Sequence, residues 1–589
     1  MSCTPLTPPD PNRRDTARSK RIQAADIAYN RPHPAQLNNC EERDYPYVAN
    51  YSKGLQHDAN GDVIPASYQS LLTALQNRTH SSFEAVQLGT PSGGLRLTNP
   101  QAGLAFTLEG PDPQALTQPP APRIDSAQNS SEMAELYWMA LARDVHFSNY
   151  GTDATIQQAI QSLNTEFTDF RGPKVNGQVT AQTVFRGIFP GETTGPYLSQ
   201  FLWKGNSDPR APDWQGRSAQ DGFITYGVLK IDQRRWTVLP GTQSDFLTEY
   251  SWWLEAQNGV DKRGMDRFDM TQRRFIRNLR DLANFVHFDQ VLDAFYNAAL
   301  ILISEPRGNQ LLSSLRPLAD IEFRNDVGNP YDPAPPRTPS RTQVGFATFG
   351  TTHVLTLLSE ALIRALRAVW YQKWFVHRRL RPEEFGGRIH NHLTGRRLYP
   401  QINAQILNSL KTGKLAPYFG QAGERFPTYL LPQAYPEGAP THPAYGAGHA
   451  TGAGACATIL KAFFHESQAI ENPQVPTADG TKLMAYTGPG YNQMTVGGEL
   501  NKLAGNIALG RNGAGVHWRT DYDQSLLLGE TIAIQLLQEQ SILFNEPDFF
   551  ELRRFDGTCV RIQNGTVTAC PVVYGTYPSA VGGVGGEIL

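Results

Sequence analysis

In GRNGAGVHWRTD, residues 510–521, an arginine, a histidine and an aspartate are spaced to grip a tetrahedral oxyanion. Arg511 offers a planar fork of donors to two oxygens, and His517, six residues on, can reach the central atom from the side. Asp521 follows four residues later. With a helix starting at the histidine, Asp521 shares its face and can orient the ring or set its basicity. Alone, the pattern also describes a Gly-rich loop leading into a solvated helix start, but two upstream stretches add to it. From His353 to Leu380 the residues Val354, Leu358, Ala361, Leu362, Ala365 and Val369 form one apolar stripe, and Lys373 continues it. A lysine on an inward face needs a buried anion. Arg381-Pro382 closes that helix, because proline disfavours helical geometry in the residue before it and has no N–H for the ladder; Arg381 is left at a helix mouth. Further on, Gly446-Ala447-Gly448 leads into a helix from Ala450, where free backbone N–H groups can seat anion oxygens, and His449 stands beside them.

Rigid elements must hold these three stretches together, and the sequence supplies them in two helical halves. Residues 1–30 read as an arm with a first helix: 1–17 are Pro-rich and polar, ordering only against something else, and Arg18 to Tyr29 is helical. Residues 31–324 form an N-terminal helical half. There SEMAELYWMALARDVHF, from Ser131, puts Met133, Leu136, Tyr137, Ala140 and Leu141 on one face behind a serine cap. Arg171 to Gly259 reads as long loops, and Arg273 to Ile303 as helix, VHFDQ included. Residues 325–342 are a connector whose Asp326 and Asp332 offer oxygen ligands for a structural calcium, an ordinary polar loop being the alternative. Residues 343–545 form the second helical half, which carries all three stretches and ends in a helix from Asp521 to Gln540 burying Leu526, Gly529, Ala533 and Leu536. Residues 546–589 are a tail. In it, an Asn564-Gly565 turn lies midway between Cys559 and Cys570, so a two-residue hairpin sets them opposite each other as a hydrogen-bonded pair, within reach of a disulfide. Two reduced thiols are the alternative.

At 589 residues the chain can bury one large core or several ordinary ones, so an enclosed pocket is within its means. A net charge of −2 and the absence of long like-charge blocks exclude a general attraction to nucleic acid. No apolar run of 18 residues occurs and the N-terminus lacks the apolar core of a signal peptide, which points to a soluble chain with no membrane partner. The five cysteines, Cys3, Cys40, Cys456, Cys559 and Cys570, are too few and scattered for a zinc site. The arm has little core-forming sequence, so a homo-oligomer held partly through it is expected, with Cys3 and Cys40 available for interchain disulfides.

Taken together, Lys373 followed after seven residues by Arg381-Pro382, then Ala447-Gly448-His449, then Gly510-Arg511 with His517 and Asp521, resemble the pattern of the vanadium-dependent haloperoxidases. That family shares its pocket with type 2 phosphatidic acid phosphatases and bacterial acid phosphatases. The seven-residue spacing and the stretches KWFVHRRLRPE, PTHPAYGAGHA, GRNGAGVHWRTD and MAELYWMALARD are similar to the algal-type bromoperoxidase branch, over most of the chain. The resemblance implies an all-α fold of two four-helix bundles with long loops, to which this chain adds its small C-terminal β-hairpin, and a dodecameric assembly.

It also implies vanadate as cofactor, bonded to His517 and held by Lys373, Arg381, Arg511 and the Gly448 N–H. His449 would be the general acid/base, Lys373 would polarise the oxidant, and His442 occupies the place where histidine accompanies bromide preference. The implied reaction is oxidation of bromide by hydrogen peroxide to hypobromous acid or an enzyme-held equivalent, which halogenates organic acceptors; chloride and iodide are further candidate halides. Ala447 departs from the family's serine and removes a donor to vanadate. Around this set, Asp521 supports His517, Asp289 is a candidate hydrogen-bond partner for His442, and His377, one turn after Lys373, is either support or core. Two other readings stay open: an acid phosphatase in which His517 is the phosphorylated nucleophile, and a non-catalytic anion-binding shell protein, for which Ala447 is the only support.

Overall fold

The computed structural model describes residues 7, 9–206, 220–226, 228–303 and 325–571. Its centre is the helix Gly448–Phe463, which packs against Arg519–Gln540, Thr351–Tyr371 and Val496–Gly513. Small residues make this possible. A Cβ added at Gly454 would lie 2.2 Å from the Leu526 carbonyl oxygen, and one at Gly529 would lie 2.1 Å from that of Thr451. Only glycine at both positions lets the two backbones approach so closely, and either substitution to alanine would force the helices apart.

Helices of the N-terminal half close around this bundle. Ala127–Ala142 packs against Ala154–Thr165, Ala404–Lys411 and Val496–Gly513, while Leu279–Phe288 lies along Val496–Gly513. One apolar core runs through both halves and includes Trp138, Leu282, Ala365 and Leu526. The helical class expected from the sequence is therefore the observed one, with four small antiparallel sheets among the described residues. No helix among the described residues is long and apolar enough to cross a membrane.

Several boundaries differ from the sequence reading for identifiable reasons. The first helix is Arg13–Tyr29, five residues longer at its start than expected, and Cys3 lies outside the described residues. The helix expected from Ser131 begins at Ala127, because Ser126 is the actual cap, its Oγ accepting the Asn129 N–H at 3.1 Å. Arg273–Ile303 is not one helix. Strand Phe268–Arg274 pairs with Arg235–Val238, then come helices Leu279–Phe288 and Asp293–Ile303 with Asp289 at the break.

The Lys373 helix also ends earlier than its apolar stripe suggested. Regular α-helix stops at Tyr371, a single π turn spans Gln372–His377, and Arg378 takes a left-handed φ of 41°. Pro382 then begins the next helix, Pro382–Thr394, with Arg381 as its N-cap residue; proline suits a first helical position, where the missing N–H has no partner to lose. The tail hairpin has the expected register. Cys559 and Cys570 are joined by a disulfide with Cα atoms 5.4 Å apart, and the Cys570 N–H donates to the Cys559 carbonyl at 3.2 Å.

In the connector, Asp326 is buried and its Oδ2 accepts the Gly328 N–H at 2.9 Å, which makes the carboxylate a turn-former. Asp326 and Asp332 belong to no cluster of metal-ligating groups. Among the described residues the only such cluster is Glu551 with Cys559 and Cys570, whose sulfurs are taken by the disulfide.

Candidate active site

Lys373, Arg381, Arg511, His442, His449 and His517 come together, Lys373, Arg381, His449 and Arg511 from four helix ends and His442 and His517 from the loops that lead into helices. Lys373 points inward from the π turn, fully buried, and its Nζ donates to the carbonyls of Pro443 (2.7 Å) and Ala444 (3.0 Å). Arg381 donates from Nε to the His442 carbonyl at 2.9 Å and from Nη1 to the Val516 carbonyl at 2.8 Å. Arg511, in the last turn of Val496–Gly513, donates to the Val286 carbonyl at 2.7 Å and lies over the Tyr435 ring; its Nε has no partner. None of the three cations forms an ion pair with a carboxylate among the described residues.

Three buried positive groups, none bonded to a carboxylate among the described residues, are unstable company. Burial, then the positive field of Arg381, drives the Lys373 pKa well below its ordinary value, and burial with the field of Arg511 lowers Arg381 to about 10. An oxyanion among them would offset both the burial and the repulsion, so the residues present fit vanadate or an anion of its shape. The opposing wall supplies neutral donors. Gly448 is the first residue of its helix, with an N–H that has no intrahelical acceptor, and a Cβ there would come within 3.0 Å of the Trp370 ring.

His517 is presented in one tautomer. Its Nδ1 meets Asp521 Oδ2 at 2.8 Å, and a carboxylate can only accept, so Nδ1 carries the hydrogen. Nε2 then keeps its lone pair inside the pocket, where it accepts from Arg381 Nη1 at 3.0 Å. Burial, reinforced by Arg381 and Lys373, drives the His517 pKa well below its ordinary value, which is the state a metal-ligating imidazole needs. Asp521 does not reach His517 along one helix, as the four-residue spacing suggested. The helix starts at Arg519, Trp518 is the N-cap, and Asp521 reaches back to accept the Trp518 N–H at 3.0 Å as well as the ring N–H. GRNG likewise is the end of a helix and no loop.

The expected pairing of Asp289 with His442 is corrected by the structure. Asp289 Oδ1 lies 2.8 Å from His449 Nε2, because the helix breaks after Phe288 and turns the carboxylate toward the start of Gly448–Phe463. Burial alone would raise its pKa, but the bond and field of His449, with Arg511, bring it below the usual carboxylate range. His442 instead places Nδ1 2.9 Å from Arg381 Nη2, with its ring 4.9 Å from that of Trp370. Trp370 is half-buried and walls the pocket beside Lys373, whereas Trp374 is core, packed on Tyr51.

His377 faces Tyr445 with neither ring nitrogen hydrogen-bonded, and burial pushes its pKa down to about 3. Ala447 is the N-cap of its helix, and its N–H donates to Ser525 Oγ at 2.8 Å. Ser525 was missed in the sequence, although it stands one turn beyond Asp521 on the same helix. The backbone carbonyls that hold the three cations carry no sequence signal at all.

The second half of the chain, residues 353–546, matches the family model for the VCPO second helical-bundle domain. The chain is 36% identical to the vanadium-dependent bromoperoxidase of Corallina pilulifera, the alignment covering 92% of this chain and 97% of that protein. It is 35% identical to the vanadium-dependent bromoperoxidase of Ascophyllum nodosum, over 95% of this chain and 94% of the other. Among solved structures, the homohexameric second vanadate-dependent bromoperoxidase of Ascophyllum nodosum superimposes with a TM-score of 0.79 at 28% identity, covering 96% of this chain and 94% of that one. With these likenesses end to end and the oxyanion cradle in place, the chain belongs to the vanadium-dependent bromoperoxidases.

Proposed function

We propose that this chain is a vanadate-dependent bromoperoxidase, which uses hydrogen peroxide to oxidise bromide to hypobromous acid or an enzyme-held equivalent and so halogenates organic acceptors. The observation that carries this reading is the placement of His517 Nε2, unprotonated, among three buried cations that form no ion pair with a carboxylate among the described residues. His517 would bond the vanadium, while Lys373, Arg381, Arg511 and the Gly448 N–H hold its oxygens. When bound, vanadate supplies a Lewis acid that activates peroxide without changing oxidation state.

The protein's own groups do the rest. His449, with an 18% exposed side chain, is the one pocket histidine open enough to exchange protons with arriving peroxide, and Asp289 stabilises the imidazolium it becomes. Lys373 polarises the bound oxidant from the buried side. His442 and Trp370 line the approach of the halide, bromide first, with chloride and iodide as further candidates. No contact in the pocket favours the phosphatase or the non-catalytic reading, and calcium would need ligands beyond Asp326 and Asp332. The relative of known structure is homohexameric, which supports a homo-oligomer here; a dodecamer built partly through the N-terminal helix, with Cys40 exposed for interchain contact, is our reading of its size. Bromination of phenol red by peroxide and bromide, run on metal-free protein with and without vanadate, tests the function. Vanadate-dependent colour change is expected; its absence, with phosphomonoester hydrolysis by the metal-free protein instead, would overturn the reading.

A further inference from the structure

We propose that Arg379 is a positioning residue for the vanadate centre, acting through Asp521 on His517 and through its own backbone on Lys373. It rests on the bromoperoxidase reading above. Arg379 is buried, and its side-chain hydrogen bonds go to Asp521, Asn129 and Glu132 and to no cradle group. Its Nη1 donates to Asp521 Oδ1 at 3.0 Å, the oxygen that His517 leaves free. Its Nη2 donates to Asn129 Oδ1 at 3.1 Å and to Glu132 Oε2 at 3.2 Å, and the guanidinium lies over the Trp518 ring, 4.7 Å from its centroid. On the main chain, the Arg379 carbonyl accepts the Ala444 N–H at 3.0 Å, and the Ala444 carbonyl is one of the two that hold Lys373 Nζ.

This arrangement solves a physical problem. Asp521 must present one oxygen to both the His517 ring and the Trp518 N–H, and a carboxylate bound on that side alone can rotate. Arg379 fixes the other oxygen, so the plane of the carboxylate, and with it the direction of the His517 lone pair, is set from outside the pocket. Glu132, itself bonded to Thr520 and Gln128, offsets the remaining charge, so Arg379 adds no fourth free cation to the cradle. A lysine's donors all leave one nitrogen, so it cannot reproduce the fork that puts Nη1 on Asp521 and Nη2 on Asn129 and Glu132.

Titration of metal-free protein with orthovanadate, followed by equilibrium dialysis, tests this without any turnover assay. Arg379→Met should weaken binding by about tenfold or more, and Arg379→Lys, which keeps the charge but not the fork, by an intermediate factor. In an Asp521→Asn background the same Arg379→Met step should cost less than about threefold, because the carboxylate it acts through is gone. Equal losses in both backgrounds, or wild-type affinity in Arg379→Met, would overturn the inference. If Arg379→Met does not fold, Glu132→Gln carries the test: a loss of about threefold in affinity supports the inference and an unchanged affinity overturns it. Failure of the wild type to bind vanadate would instead remove the bromoperoxidase reading, and this inference with it.

Discussion

Two walls of the pocket each carry a histidine 2.8 Å from an aspartate, yet they are built for different tasks. His517 and Asp521 are four residues apart, with side chains 3% and 0% exposed, and Asp521 is held further by Trp518 and Arg379. His449 and Asp289 are 160 residues apart, the histidine is 18% exposed, and Asp289 Oδ2 has no partner. The first pair is closed and bonded on all sides, which suits a ligand that must hold one tautomer and one direction. In the second the aspartate is buried but the histidine is partly exposed, which suits a group that must gain and lose a proton. On the proposed reading, the same residue pair serves as an anchor or a proton carrier according to what surrounds it.

The largest expected effect comes from removing the anchor. His517→Ala deletes the nitrogen we propose as the vanadium ligand and leaves electrostatic attraction alone, so equilibrium dialysis should show vanadate binding lost. Retained tight binding would remove His517 from its assigned role. His449→Ala breaks the other side of the comparison: vanadate should stay bound while kcat for bromide oxidation falls by about 10²- to 10⁴-fold, the usual worth of a general acid/base. A wild-type rate across the pH range would take His449 out of the mechanism.

Smaller effects sharpen the contrast. Asp289→Asn should lower kcat by about tenfold with vanadate affinity unchanged, since it loses one charge-assisted bond to His449. In the wild type the Asp289 pKa is depressed, so the charged pair is present above the ordinary carboxylate value and is lost as pH falls through the lowered folded value. The acid limb of the rate profile should therefore differ between the wild type and Asp289→Asn; superimposable acid limbs would contradict the pairing. Ala447→Ser restores a hydroxyl at the N-cap, and titration should show vanadate held about tenfold more tightly. An equal or weaker affinity would mean that another group already serves that oxygen.

Much of the site could be read before the fold. Lys373, Arg381, Arg511, His449 and His517 were legible because a cation on an inward stripe or a histidine after a glycine turn is chemically conspicuous at fixed spacing. The two-cysteine hairpin was legible because Asn564-Gly565 sets its register. What the sequence did not carry were events that break periodicity. The π turn at Gln372–His377 and the helix break at Asp289 have no spacing signature, and the second of these redirected Asp289 from His442 to His449. Ser525, Arg379 and the carbonyls of Val286, Pro443, Ala444 and Val516 act through contacts between distant segments, which a linear pattern does not contain.

The central claim is that vanadium binds at the closed wall, while the open wall handles protons. Anomalous diffraction at the vanadium absorption edge, from crystals of the vanadate-loaded protein, addresses it directly. A single peak bonded to His517 Nε2 and ringed by Lys373, Arg381 and Arg511 is the predicted result, and a peak on His449, or none within the cradle, would contradict it.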